Sequence, residues 1–304
     1  MGTPINTSSF AKALWPGVNA WYGAEYAKYP EEYLKLFDKN TSTRNYEEDV
    51  GQSGFGLAVI KDEGSGVSYD TARQGFTTRY RHVTYGLGFI ITREMYEDGL
   101  YDTYAKKRAE NLAFSMRQTK EILGASVYNK AVDATQLGGD GVVLLSTAHP
   151  NVSGGTWSNR LAVDSDLSEA ALEQACIDIA DFRDDRGLLI AVKPKMLIIP
   201  PELEFECARI LKTVGRVGTD LNDVNALKEM GKFPGGMVIN HYLTDADQWF
   251  IRTDAKDGMK YFSRREDEFN TDNDFDTENA KFKATFRCSF GWSDPRGIYG
   301  SPGA

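Results

Sequence analysis

Cysteine and histidine are both scarce, three of each in 304 residues. Cys176, Cys207 and Cys288 are odd in number and far apart, which argues against a disulfide framework and fits a reducing cytoplasm. No Cys-x-x-Cys pair is present, so a zinc cluster has no obvious ligands. Basic charge is in deficit: 35 Lys and Arg stand against 44 Asp and Glu, a net charge of −9. Tight duplex binding relies on clustered Lys and Arg against phosphate, so this balance argues against gripping DNA, though not against enclosing it. No apolar stretch approaches the ~18 residues that span a bilayer. The first residues show no basic start followed by an apolar run, and Asn6 stands where a myristoylation signal has Ser or Thr. The expectation is a soluble chain, cytoplasmic at synthesis, with no membrane partner.

Catalytic signatures are missing as well. No serine or cysteine sits in a nucleophile elbow. His149, before Pro150 in a glycine-rich loop with Asn151 and Trp157, is the one candidate general base, but a satisfied structural histidine is the preferred reading. His82 and His241 fall in strand-like segments. Cys176 and Cys207 fall on predicted helices with apolar neighbours and read as core. Gly215 and Gly218, in TVGRVGTD, lack the Gly-Lys-Ser/Thr of a P-loop, as does Gly231-Lys232-Phe233, and both read as mobile loop. Gly86-x-Gly88 lies inside a strand and opens no helix, so it is no dinucleotide fingerprint. Asp272, Asp274 and Asp276 have the first three spacings of a calcium loop. Thr277 replaces its glycine and Lys283 its last glutamate, so a solvated acidic turn is preferred. No catalytic, cofactor-binding or metal-binding residue is assigned.

What the chain does have is shape. Length suggests roughly two domains. Residues 1–46 are aromatic-rich, with Trp15, Trp21, Tyr22, Tyr26, Tyr29, Tyr33 and Phe37, partly helical from Pro16 to Asp38 and interrupted near Pro30. These rings could fill the chain's own core or lie on a neighbouring subunit. Residues 47–92 predict a hairpin, Leu57 to Ile60 out and Phe76 to Ile91 back, with a polar tip from Lys61 to Gly66. A hairpin of this kind is marginal alone and needs a partner surface. Ala105, Ala109, Leu112, Met116, Leu123, Val127 and Ala131 form one apolar stripe of a helix over about 99–134. Lys106, Lys107, Arg108, Glu110, Arg117, Lys120 and Glu121 lie mostly off that stripe, and Gly124 weakens the helix by about 1 kcal/mol. A helix follows Ser168, a strand covers Ala191 to Pro200, a helix Pro201 to Val214, and strands run near Met237–Asn240 and Gln248–Arg252. This order predicts an α+β unit over about 165–265. In the final strand Phe282, Ala284, Phe286 and Cys288 share one face, with Lys281, Lys283, Thr285, Arg287 and Ser289 on the other.

Four segments, LLSTAHPNVSGGTWSN (Leu144 to Asn159), PKMLIIPPELEFECARIL (Pro194 to Leu211), YLTDADQWFI (Tyr242 to Ile251) and the block ending DPRGIYGS (Asp294 to Ser301), resemble in sequence and order the Mu-like head subunits of tailed phages. The resemblance implies an α+β fold of the Hong Kong 97 type: an N-terminal arm (1–46), an extended β-hairpin loop (47–92), a peripheral domain with a long spine helix (93–164 and 266–292), and an axial α+β domain (165–265 and 293–304). It further implies a structural, non-enzymatic major capsid protein that forms hexamers and pentamers of an icosahedral head. Partners would be other copies, scaffolding, portal and decoration proteins, and double-stranded DNA held by confinement. The location would be the virion, and the host cytoplasm during assembly. Some relatives cross-link through a hairpin lysine, but Lys61 has no environment supporting that chemistry here. An encapsulin-like nanocompartment shell enclosing protein, or a soluble α+β hydrolase with His149 in its site, are the alternatives.

Overall fold

A computed structural model describes residues 20–97, 101–215, 224–274 and 279–304. The alternating segment is the middle of a sheet. β10 (Met259–Asn273) and β11 (Ala280–Trp292) form a long antiparallel hairpin. Phe282, Ala284, Phe286 and Cys288 are all buried, as their alternation requires. β1 (Asp38–Thr41) runs parallel to β10, and β4 (Val83–Ile91) pairs antiparallel with β11, giving the order β1-β10-β11-β4. Across the inner face lies α4 (Tyr101–Asn129), roughly 44 Å of helix at 1.5 Å per residue. Its stripe is buried through Ala105, Ala109, Leu112, Met116 and Val127. The helix ends before the expected residue 134: past Asn129 the chain tightens into turns, with Ala131 N–H on the Tyr128 carbonyl and Asp133 N–H on that of Lys130, and the Ala131 carbonyl accepts the N–H of Leu145. A short α3 (Arg93–Glu97) leads into it.

The N-terminal rings divide. Trp15 and Pro16 lie outside the described residues. Helical residues 20–26 (α1) and α2 (Tyr33–Leu36) are separated at Pro30, and Tyr22, Tyr33 and Phe37 are buried in this chain's own core, while Tyr29 is exposed. Tyr33 meets Tyr261 and Phe290 edge-on, with centroids 5.2 and 5.7 Å away; Phe37 meets Tyr128 and Phe290 at 5.6 and 5.2 Å. Gly124 permits this crossing. A Cβ there would stand 3.0 Å from Tyr33 Cβ and 3.6 Å from Phe37 Cε2. The residue that weakens the helix by propensity is also where Tyr33 and Phe37 come close to it.

The second sheet has the order β12-β9-β7-β8, made of β7 (Pro194–Ile199), β8 (Met237–Ile239, parallel to β7), β9 (Trp249–Thr253) and β12 (Ile298–Ser301). α5 (Glu169–Ala180) is capped by Ser168, whose side chain accepts the Ala171 N–H. α5 and α6 (Glu204–Lys212) cover a core of Leu172, Ile179, Leu197, Ile199, Trp249 and Tyr299, and α7 (Ala226–Glu229) adds Leu227. Ile198 and Phe250 point the other way, into the core shared with α4 and β11. A separate small antiparallel pair is formed by β5 (His149–Pro150) and β6 (Thr156–Trp157).

The hairpin differs from expectation. β2 (Tyr46–Gln52) pairs with β3 (Gln74–Arg81), and residues 53–73 contain no strand, so Leu57–Ile60 is not one. The single return strand is two. At His82 the chain leaves the ribbon and joins β11, because the buried ring is held 3.0 Å from both Ser42 Oγ and Ser289 Oγ. Gly88 fits β4 because a Cβ would stand 2.5 Å from the Phe282 carbonyl oxygen. Replacing Gly124 with valine should cost about 1–3 kcal/mol through overpacking against Tyr33. Urea titration checks this through a lowered midpoint at unchanged slope; an unchanged midpoint would contradict the close crossing.

Candidate assembly interface

The residues that sequence offered for chemistry are structural. His149 is fully buried, with Nδ1 2.7 Å from Asp140 Oδ2 and Nε2 3.1 Å from Asn159 Oδ1, and its ring stacks on Trp157. Both nitrogens face oxygen acceptors inside the protein, so neither is available to take a proton from a substrate. Asn159 in turn donates to the carbonyls of Leu144 and Pro295, tying the loop to the C-terminal block. His241 is exposed and bonds Glu32. The three cysteines are buried, and burial pushes Cys176 up to about 11 and Cys207 and Cys288 up to about 12. Thiols in that range are not nucleophiles at neutral pH.

Asp272 lies on β10 and Asp274 pairs with Lys281, while Asp276 and Thr277 lie outside the described residues. Among the described residues no cluster of His, Cys, Asp and Glu fits a metal ion. Gly215 bridges to Val224, Gly218 lies outside the described residues, and Gly231 ends α7 with a positive φ of 57° that suits glycine.

A cleft of about 590 Å³ between the ribbon and the second sheet is rich in aspartate. Its carboxylates are already engaged. Asp140 holds His149, Asp49 and Asp257 hold Lys260, Asp185 and Asp294 hold Arg296, Asp184 accepts the N–H groups of Arg186 and Leu188, and Asp254 accepts that of Lys193. The cleft reads as an internal joint whose carboxylates serve the chain's own contacts.

One sequence expectation needs correction. Arg117, Lys120 and Glu121, placed mostly off the apolar stripe of α4, are buried. They are buried because each has a specific partner across a tertiary contact. Arg117 pairs with Glu31 at 2.8 Å and donates to the Tyr29 carbonyl; Glu121 accepts the backbone N–H groups of Glu32 and Tyr33 at 3.0 and 2.9 Å; Lys120 pairs with Asp267 and donates to Tyr26 Oη. Asp267 reaches Lys120 because β10 bulges between Arg265 and Glu268. Burial pulls the Lys120 pKa down, but Asp267, Tyr261 and Glu266 together more than offset it and the ammonium stays charged. Burial pushes Glu121 up to about 7 against the pull of the two N–H groups and Arg117. The helix thus clamps the N-terminal segment and the hairpin at one place.

The remaining distinctive surface is the loop of residues 53–73. Its base is fixed: Ser53 and Arg73 bond each other, Asp70 accepts the N–H groups of Gly56 and Thr71 at 2.8 Å, and Arg186 donates to the Thr71 carbonyl at 2.6 Å. Beyond the base it presents Phe55, Leu57, Val59, Ile60, Val67 and Tyr69 to solvent, with Ile60 and Tyr69 both 94% exposed. Contiguous apolar exposure on this scale marks an interaction surface. Lys61 is exposed beside it.

Residues 75–301 match the model of a family described as phage capsid protein. The chain belongs to the phage capsid protein family. Solved structures agree on the fold: the procapsid of bacteriophage JBD30 (13% identity, TM-score 0.53, 99% of this chain and 76% of that one), a Microbacterium phage Oxtober96 structure (10%, 0.54, 90% and 91%) and a Mycobacterium phage Che8 structure (14%, 0.52, 90% and 93%). No curated protein sequence matches. This capsid protein has the α+β Hong Kong 97-type shell fold, and its role is structural.

Two outcomes follow from the buried charges. Asp267→Ala strands a buried ammonium and should cost about 3–5 kcal/mol in urea unfolding, whereas Lys120→Met with Asp267→Leu should cost far less; equal losses would mean the ion pair does not bind α4 to β10. His82 supplies the pH test. The Ser42 hydroxyl donates to Glu47 and therefore accepts from His82 Nε2, leaving Nδ1 to accept from Ser289, a neutral ring. Burial, then Arg287, lowers the His82 pKa. Its contribution is present above the ordinary histidine pKa of about 6.5 and is lost as pH falls through the folded value. Between pH 7.5 and 5 the wild-type chain should lose more stability than His82→Gln; parallel curves would refute the neutral ring.

Proposed function

We propose that this capsid protein self-assembles into hexamers and pentamers of an icosahedral phage head, and that the head holds double-stranded DNA by confinement. The observation that carries the reading is the apolar loop of residues 53–73, rooted in hydrogen bonds at its base and uncovered beyond it, on a chain of the capsid family. Such a loop is explained by a second copy that covers it. The net charge of −9 suits enclosure without a grip on phosphate. In this reading residues 1–46 act as an arm, 47–92 as the extended loop, 93–164 with 266–292 as the peripheral domain and 165–265 with 293–304 as the axial domain. The β1–β10 and β4–β11 pairings make the joints between these parts continuous sheet, so the subunit is one plate with a projecting loop. Grouping with Mu-like head subunits rests on the four sequence segments. Scaffolding and portal partners, and a passage through the host cytoplasm before the virion, belong to the same reading.

Size-exclusion chromatography and negative-stain microscopy of the purified chain test it. Rings of five or six, or closed shells, are expected, alone or with scaffold. Nucleic acid inside shells isolated from infected cells supports a phage head, and protein cargo alone would favour a nanocompartment. A strict monomer across a wide concentration range with scaffold present would overturn the proposal.

A further inference from the structure

Among the described residues, two features of the fold lack partners, and each has what the other needs. The first is the outer edge of β4. The opposite edge of the same sheet, β1, is a four-residue strand carrying Asp38 and Lys39, the short charged ending by which proteins blunt a sheet edge. β4 has nine residues, Val-Thr-Tyr-Gly-Leu-Gly-Phe-Ile-Ile, with no charge and no proline. It pairs with β11 alone, and its residues make no other backbone hydrogen bond among the described residues. Val83, Leu87 and Ile90 are about half exposed along it. The second feature is the loop segment from Phe55 to Ile60. Phe55, Leu57 and Val59 alternate with Gly56 and Ala58, the period of a strand with one apolar face. The segment nevertheless forms no strand in the isolated chain, and its apolar residues are 62–94% exposed.

We propose that residues 55–60 of one copy add as a strand to the open edge of β4 in the next copy. The inference rests on the self-assembly reading and names the contact that reading leaves open. Strand addition satisfies the free backbone groups of the β4 edge and of residues 57–60, beyond the Gly56 N–H that Asp70 already holds, and the alternating apolar side chains supply the specificity. It explains why a segment of strand-like composition is unpaired in one chain: its ladder partner is on another. Charge agrees with the placement. Asp62 and Glu63 follow directly after the segment. On the outer face beside β4 stands Lys283, exposed and in no ion pair among the described residues. Lys283 lies opposite Gly88, whose missing side chain leaves the ammonium a clear path across β4 to the strand beyond, about 10 Å away at two strand spacings. The contact is heterologous, loop to edge, the kind that builds a ring of five or six copies when its rotation closes.

Engineered cysteines in assembled shells test this directly. The native cysteines are buried, which keeps background cross-linking low. Double variants pairing Leu57→Cys or Val59→Cys with Leu87→Cys or Ile90→Cys sample the registers, and all four positions are exposed, so the fold is spared. Under mild oxidation at least one pair should give a ladder of linked subunits, and mixing the two single variants of that pair should give dimers. Val59→Pro, which removes an N–H the added strand requires, should raise the subunit concentration for assembly at least tenfold while leaving monomer unfolding unchanged. Shells that form normally while every double variant runs as a monomer overturn the strand addition and leave the self-assembly reading standing. A wild-type chain that never assembles overturns both.

Discussion

The structure depends on one constraint, the packing of a single long helix across a long two-stranded hairpin. Neither is stable alone. A helix of about 29 residues with a narrow apolar stripe leaves much of its surface in water, and a hairpin of this length has one face to cover. Laid together they bury Ala105, Ala109, Leu112, Met116, Phe282 and Phe286, and the N-terminal turn closes over both with Tyr33 and Phe37. Gly124 sets how closely that turn approaches. Lys120 and Asp267 fix the helix's register on the hairpin, because a charge pair out of water tolerates little displacement before one member is left uncompensated.

The second sheet depends on this plate. Ile198 and Phe250 belong to the core beneath α4, while Leu197, Ile199 and Ile251, their neighbours in sequence, belong to the core beneath α5. Alternation along β7 and β9 therefore joins the two units through shared strands, without a linker. The Asp140–His149–Asn159 chain performs the same service at the loop between them, and the carboxylates of the aspartate-rich cleft seat the ribbon beside it. Polar groups that suggest catalysis in the sequence are spent on holding a thin subunit rigid. What is left unspent is the apolar loop and an uncharged sheet edge.

Much of this is legible in the sequence where periodicity decides. The faces of β11, the stripe of α4, the Ser168 cap and the strands of the second sheet follow from spacing and composition. Three features do not. The burial of Arg117, Lys120 and Glu121 is invisible because helical periodicity scores residue type, and the partners lie 86 to 147 residues away. The break at His82 depends on Ser42 and Ser289, 40 and 207 residues away. Leu57–Ile60 carries the composition of a strand without a partner in its own chain, so local propensity and the monomer's structure disagree there. The candidate site was legible only in part for the same reason: a surface defined by what is missing from one copy leaves no motif.

Hydrogen exchange on the monomer and on the assembled shell, compared segment by segment, tests the account most directly. It requires that α4, β10 and β11 are strongly protected in both states, because the plate is complete in one chain, and that residues 53–73 exchange rapidly in the monomer and slow on assembly. Rapid exchange across α4 and β11 in the monomer, with protection appearing only in the shell, would contradict the account, since the plate would then be a product of assembly.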